Sequence, residues 1–172
     1  MTPTKAALLT ACLALATLQV PSHAQRADAP EWKEVEVAPP PAFKTDALLP
    51  FQIGQATSLR FGVDPDTLTV GEDGVVRYVM VAQSASGASN VWYEGVRCTT
   101  GQVKTYAHWA AATSTTAAGW QIRADADWRL LVGSSASRPA LVLAREALCN
   151  GSTVNGDERR ILRDLRLGKP RD

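Results

Sequence analysis

The sequence predicts an α+β fold, mainly an antiparallel β meander with one or two C-terminal helices in a single domain. Three observations carry that expectation. Between Ser58 and Trp109, short β-favouring runs alternate with turn residues. The last third of the chain carries two helical patterns with start and stop signals. Cys98 and Cys149 lie where one bond would join the two halves.

The N-terminal segment sets the compartment in which that domain is expected to fold. Met1 to Ala24 has the parts of an export signal: Lys5, an apolar run from Ala6 to Val20, and the small-x-small ending Ser22-His23-Ala24, with cleavage expected before Gln25. The run is about 15 residues long, short of the roughly 20 that cross a bilayer. The expected location is therefore periplasmic, with no membrane span. Leu9-Thr10-Ala11-Cys12 also fits a bacterial lipobox, so a lipid anchor at Cys12 stands as the alternative.

Residues 25–50 hold Pro30, Pro39, Pro40, Pro41 and Pro50, and proline both fixes φ and removes a backbone donor. This composition predicts an extended leader, interrupted by Trp32 and Phe43, which would lie against the domain surface. Residues 51–168 form the expected domain and 169–172 a tail.

Within the domain, Ser58 to Val63 and Thr67 to Val70 read as short strands. Gly71-Glu72-Asp73-Gly74 supplies hairpin chemistry. Val75 to Val81 is the strongest strand, with Val75, Val79 and Val81 on one face and Val76, Tyr78 and Met80 on the other, as in a central strand covered on both sides. Arg77 is its odd member. Asn90 to Cys98 follows, with Trp92, Glu94, Val96 and Cys98 on one face and Val91, Tyr93, Gly95 and Arg97 on the other. Thr99-Thr100-Gly101 then turns the chain into Gln102 to Trp109.

Ala110 to Gly119 has little to bury and reads as a loop. No periodicity assigns an element between Trp120 and Trp128. Ser137 is the expected N-cap, with Pro139 in the first turn, of a helix running to about Cys149. A last helix is expected from near Asn155, with Ile161, Leu162 and Leu165 on one side and a stop at Gly168.

Cleavage, or acylation of Cys12, leaves two cysteines in an oxidising compartment, which predicts a Cys98 to Cys149 disulfide. Removing Lys5 balances 17 basic against 17 acidic residues, so no global basic field argues for nucleic acid. Charge is uneven: residues 25–46 carry three basic and five acidic groups, residues 157–172 six basic and four acidic.

Val63-Asp64, Val70-Gly71, Asp73-Gly74-Val75-Val76-Arg77-Tyr78, Gly87-Ala88-x-Asn90-Val91-x-Tyr93-Glu94-Gly95-x-Arg97-Cys98 and Tyr106-Ala107, with Trp120, Trp128 and Cys149 downstream, form a pattern. It resembles the cryptic-neisserial-protein-1-like family of proteobacterial envelope proteins over roughly Trp32 to Leu167. The Tyr-Glu-Gly-x-Arg-Cys run is its most specific piece. The resemblance implies a periplasmic protein, sometimes lipidated, of uncharacterised activity, and it supplies no catalytic residues. The small-residue stretch from Ala110 to Gly119 departs from the family's pattern.

For chemistry, His108 is the single histidine after the signal, which excludes two-histidine zinc motifs. No Walker, G-x-S-x-G or G-x-G-x-x-G sequence occurs in a suitable setting, and no metal or cofactor is expected. The candidate cluster is Arg77, Tyr78, Tyr93, Glu94, Arg97 and Tyr106, which adjacent strands would gather into an anion-recognising group flanked by phenols. The purely structural alternative is an ion pair from Glu94 to Arg77 or Arg97; Arg97 faces away from Glu94 along its own strand, so Arg77 is the better partner. Asp73 and Asp64 read as turn or cap residues, either of which would have to approach Glu94 for a glycosidase pair. Trp92, Trp109, Trp120 and Trp128 read as core or as a sugar-stacking platform. The functional expectation is a noncatalytic envelope protein that binds a partner protein or a small anionic ligand. The alternative is a hydrolase of cell-wall glycan or peptide with Glu94 as acid or base.

Overall fold

Nine consecutive residues, Val75–Gln83, form the strand on which the rest of the sheet is laid, and only Gln83 is not fully buried. The computed structural model describes residues 31–54, 57–134 and 137–168. The expected export segment with Cys12 and the expected 169–172 tail lie outside the described residues.

The strands are β1 (Leu49–Phe51), β2 (Arg60–Val63), β3 (Thr69–Val70), β4 (Val75–Gln83), β5 (Ser89–Arg97), β6 (Gln102–Ala110), β7 (Gly119–Ile122) and β8 (Arg129–Leu130). They make one antiparallel sheet in the order β1-β2-β4-β5-β6-β7. Strands β2 and β3 share one edge of β4, and β7 and β8 share one edge of β6. The expected meander is thus its centre, β4-β5-β6, and short strands flank it on both sides. Glycine chemistry sets the turn before β4: Gly74 has φ of +73°, and its N–H donates to the Gly71 carbonyl at 2.9 Å.

Two cores form, one on each face of the sheet. On the first, Val76, Tyr78 and Met80 of β4 and Val96 and Val103 of β5 and β6 pack under the helices. Helix α1 (Arg138–Leu143) continues as a π-wound turn through Leu148, and β9 (Cys149–Asn150) pairs with β10 (Thr153–Val154) before α2 (Glu158–Leu167). Ser137 stands at the expected start but makes no cap; its hydroxyl donates to the Val132 carbonyl at 2.7 Å. The last helix begins three residues later than expected, because Asp157 supplies the cap by accepting from the Arg160 N–H at 2.9 Å. Asn155 is instead buried, donating to the Ala147 carbonyl and to Asp164, each at 2.9 Å. Gly168, in the left-handed region, ends α2 as expected.

On the second face, Val79, Val81, Val91, Tyr93, Tyr106 and Ala107 are covered by Val37, Phe43, Leu48, Trp109 and Trp120. The proline-rich segment is extended, as its composition predicts, but along residues 32–48 it serves as a layer over the sheet. Gly62 admits it: a Cβ there would stand 2.8 Å from the Cβ of Leu48.

Cys98 and Cys149 are bonded, with Cα atoms 5.6 Å apart and a sequence separation of 51. The bond ties the end of β5 to the end of the helical layer. Closing a loop of that length stabilises by roughly 4 kcal/mol in the chain-entropy model. Reduction should therefore lower the denaturant midpoint by an amount corresponding to about 2 to 4 kcal/mol. Urea unfolding with and without reductant checks this, and identical midpoints would count against the bond as a stabiliser.

Candidate functional site

The strand pleat divides the six residues that the sequence groups together. Successive side chains alternate faces, so Arg77, Tyr93, Arg97 and Tyr106 meet under the leader, whereas Tyr78 and Glu94 lie on the helix side. The expected ion pair between Glu94 and Arg77 does not form. Arg77 stands opposite Gly95 in the register, one position from Glu94 and hence on the other face.

Under the leader, Arg77 binds anions supplied by its own chain. Its Nη2 lies 2.6 Å from Asp73 Oδ2 and its Nη1 3.1 Å from Oδ1, and Nη2 reaches Glu34 Oε1 at 3.5 Å. Glu34 is the residue that sequence reading missed. It accepts from the Tyr106 hydroxyl at 2.6 Å, Lys104 Nζ at 2.9 Å and Trp128 Nε1 at 3.3 Å. Trp32 flanks it, with its indole N–H on the Asp73 carbonyl at 2.8 Å and the Arg97 guanidinium 3.6 Å above its ring. Burial would raise the Glu34 pKa, but the hydrogen bonds from Tyr106 and Lys104 and the Lys104 charge outweigh it and hold the carboxyl below its ordinary value. Burial acts on Asp73 in the same sense, and Arg77 with two backbone N–H groups reverses it. The signal for Glu34 lay in the Trp-x-Glu spacing inside a proline-rich stretch, which carries no periodicity.

A β-bulge makes this contact. Glu94 opposes Thr105 and Tyr93 opposes Ala107, so Tyr106 is the extra residue of β6. Its ring lies over Gly95, where a Cβ would stand 2.6 Å from the phenol oxygen. That accounts for the glycine in Tyr-Glu-Gly-x-Arg-Cys.

On the helix side the sheet is only partly covered. A cavity of about 600 Å³ opens there, lined by Leu59, Phe61, Met80, Trp92, Pro139, Asn90, Glu94, Thr105, His108, Arg123 and Arg129. Glu94 is 6 % exposed and accepts from the Thr105 hydroxyl at 3.0 Å and the Tyr78 hydroxyl at 3.4 Å. Burial pushes its pKa up to about 7, against the opposing pull of the Thr105 hydrogen bond, the Arg129 charge and the Tyr78 hydrogen bond. Tyr78, fully buried beside it, is pushed well above the ordinary phenol range. The cavity is of ordinary ligand-site size.

Asp73 and Asp64 do not join Glu94. Asp73 is tied to Arg77 on the other face, and Asp64 accepts from the backbone N–H groups of Lys44 and Asp66 at 2.7 and 3.1 Å. Both are turn and cap residues, as expected. The tryptophans do not form one platform: Trp109 and Trp120 hold Phe43, Trp128 binds Glu34, and Trp92 lines the cavity. Among the described residues no group of three or more His, Cys, Asp or Glu could hold a metal ion, and no helix is long and apolar enough to cross a membrane.

The model of the CNP1-like family matches residues 27–166. The chain belongs to the CNP1-like family. Neither a curated protein nor a solved structure matches it. The match takes in the leader from before Trp32, the sheet, α1 and all but the last residue of α2.

Two outcomes are expected. Glu34→Gln keeps the size of the side chain but leaves Lys104 without its carboxylate, which should cost about 2 to 3 kcal/mol in urea unfolding; a loss under about 0.5 kcal/mol would mean that the clasp adds nothing. The second concerns pH. Glu94 titrates near 7 in the fold against an ordinary 4.5, so between those values the folded chain keeps a proton that the unfolded chain has lost. Stability is therefore expected to fall as pH rises through this window, by at most about 3 kcal/mol. Glu34 and Asp73, held low, are ionised throughout it. Glu94→Gln should melt higher than the unsubstituted chain at about pH 8 and close to it at about pH 5.

Proposed function

We propose that this chain is an exported, noncatalytic protein of the bacterial envelope that binds a small anionic ligand in the Glu94 cavity. The observation that carries the reading is the convergence of Arg123, Arg129, His108 and Asn90 on a cavity whose single lining carboxylate, Glu94, has its pKa raised to about 7. Below that value the cavity holds two guanidinium groups and no opposing charge. Arginine forks bind carboxylate and phosphate oxygens. Export is supported by the form of residues 1–24 and fits a chain stapled by a disulfide; the periplasm is the compartment proposed, with acylation at Cys12 as the tethered variant.

A small ligand is favoured over a partner protein because both arginines of the predicted cluster are engaged within the chain, Arg77 by Asp73 and Glu34 and Arg97 by Trp32. One observation favours hydrolysis of cell-wall glycan or peptide instead: a buried carboxyl titrating near 7 suits general acid or base work. The two readings separate on one substitution. With the chain from Gln25 to Asp172, anion binding measured by calorimetry should survive Glu94→Gln and weaken at least about tenfold in Arg129→Ala. Release of product from peptidoglycan fragments that disappears in Glu94→Gln would overturn the noncatalytic reading.

A further inference from the structure

The lining of the Glu94 cavity is sorted along the sheet. At the β2 side it is apolar, with Leu59 and Phe61, and Met80 and Trp92 on β4 and β5 continue that surface. Met80 and Trp92 are directly opposed in the register, and His108 is opposed to Trp92 in turn. Beyond them, at the β7 and β8 side, the lining becomes cationic with Arg123 and Arg129, both exposed and at the opposite end from Phe61. From β2 to β8 the path crosses four inter-strand steps, about 19 Å at ordinary strand spacing. An ion alone would use only the last of these steps. An apolar molecule would leave the two guanidinium groups unpaired.

We propose that the ligand is an anionic amphiphile, of which a medium-chain carboxylate is the type, lying across the strands with its charged group at Arg123 and Arg129 and its chain over Trp92 and Met80, pointing toward Phe61. This rests on the anion-binding reading above and adds to it an apolar body and a direction. Each methylene laid on the apolar floor adds affinity through the area it removes from water, so affinity rises with chain length until the chain reaches Leu59. Glu94 accepts from Tyr78 of β4 and Thr105 of β6 and feels the charge of Arg129 of β8, while His108 of β6 and Arg123 after β7 line the same cavity and Pro139 of α1 brings no charge. The carboxyl of Glu94 thus lies beside the path of the ligand, near the point where apolar lining gives way to cationic.

The test uses the chain from Gln25 to Asp172 with four probes: decanoate, decanol, acetate, and vesicles of phosphatidylglycerol, followed by calorimetry and tryptophan fluorescence. Decanoate is expected to bind at least about tenfold more tightly than either decanol or acetate, a difference of about 1.4 kcal/mol or more. Arg129→Ala, at an exposed position where the fold is not at stake, should bring decanoate down to the level of decanol. Trp92→Gln, at a half-buried position of the same lining, should weaken decanoate in calorimetry and leave acetate unchanged. Equal binding of decanoate and acetate would overturn the amphiphile while the anion-binding reading stands. Equal binding of decanoate and decanol would overturn both. Binding to vesicles without binding to free decanoate would overturn a free ligand occupying this cavity.

Discussion

The carboxylate of Glu34, held by Tyr106, Lys104 and Trp128 and reached by Arg77, is the contact on which the leader face depends. It is an ionised group set into a mostly buried site, which is tolerable only because donors surround it. Its partners come from three parts of the chain: β4, β6 and the segment before β8. One side chain therefore fixes the leader, the central strand and the far edge of the sheet together. The rings of Trp32 and Trp128, with centroids 5.9 Å apart, shield that site.

The bulge at Tyr106 connects this contact to the opposite face. Inserting one residue turns the Tyr106 phenol toward Glu34 while Thr105 stays opposite Glu94. Gly95 gives the ring its room. The run from Tyr93 to Cys98 thus serves several places at once: Tyr93 and Gly95 on the leader side, Glu94 in the cavity, Arg97 over Trp32, and Cys98 in the disulfide. The two faces differ in what they leave available. On one, arginine charge is met by the chain's own carboxylates and an indole; on the other, Arg123 and Arg129 face open space beside a carboxyl whose burial favours its neutral form.

Local chemistry in the sequence determined the central hairpins, both faces of β4 and β5, the turn at Gly71–Gly74, the stop at Gly168 and the pairing of Cys98 with Cys149, because period-two alternation, glycine at positive φ and the two cysteines that follow Cys12 are readable without knowing what lies across the sheet. The short strands β1, β7 and β8 were not legible; strands of two to four residues carry too little alternation and exist by pairing with a neighbour. The start of α2 was misplaced for a similar reason, since Asn155 and Asp157 are both good caps in isolation and only the burial of Asn155 against Ala147 decides between them. The candidate cluster was correct in its residue types and divided in its geometry. Pleat parity placed Arg77 and Glu94 on opposite faces once the register was known, and Glu34, 43 residues before Arg77, became its neighbour only through the folding of the leader over the sheet. Long-range contacts of that kind follow from chain topology, which no local pattern encodes, and the cavity beside Glu94 exists because the helices cover only part of a sheet whose width the sequence did not reveal.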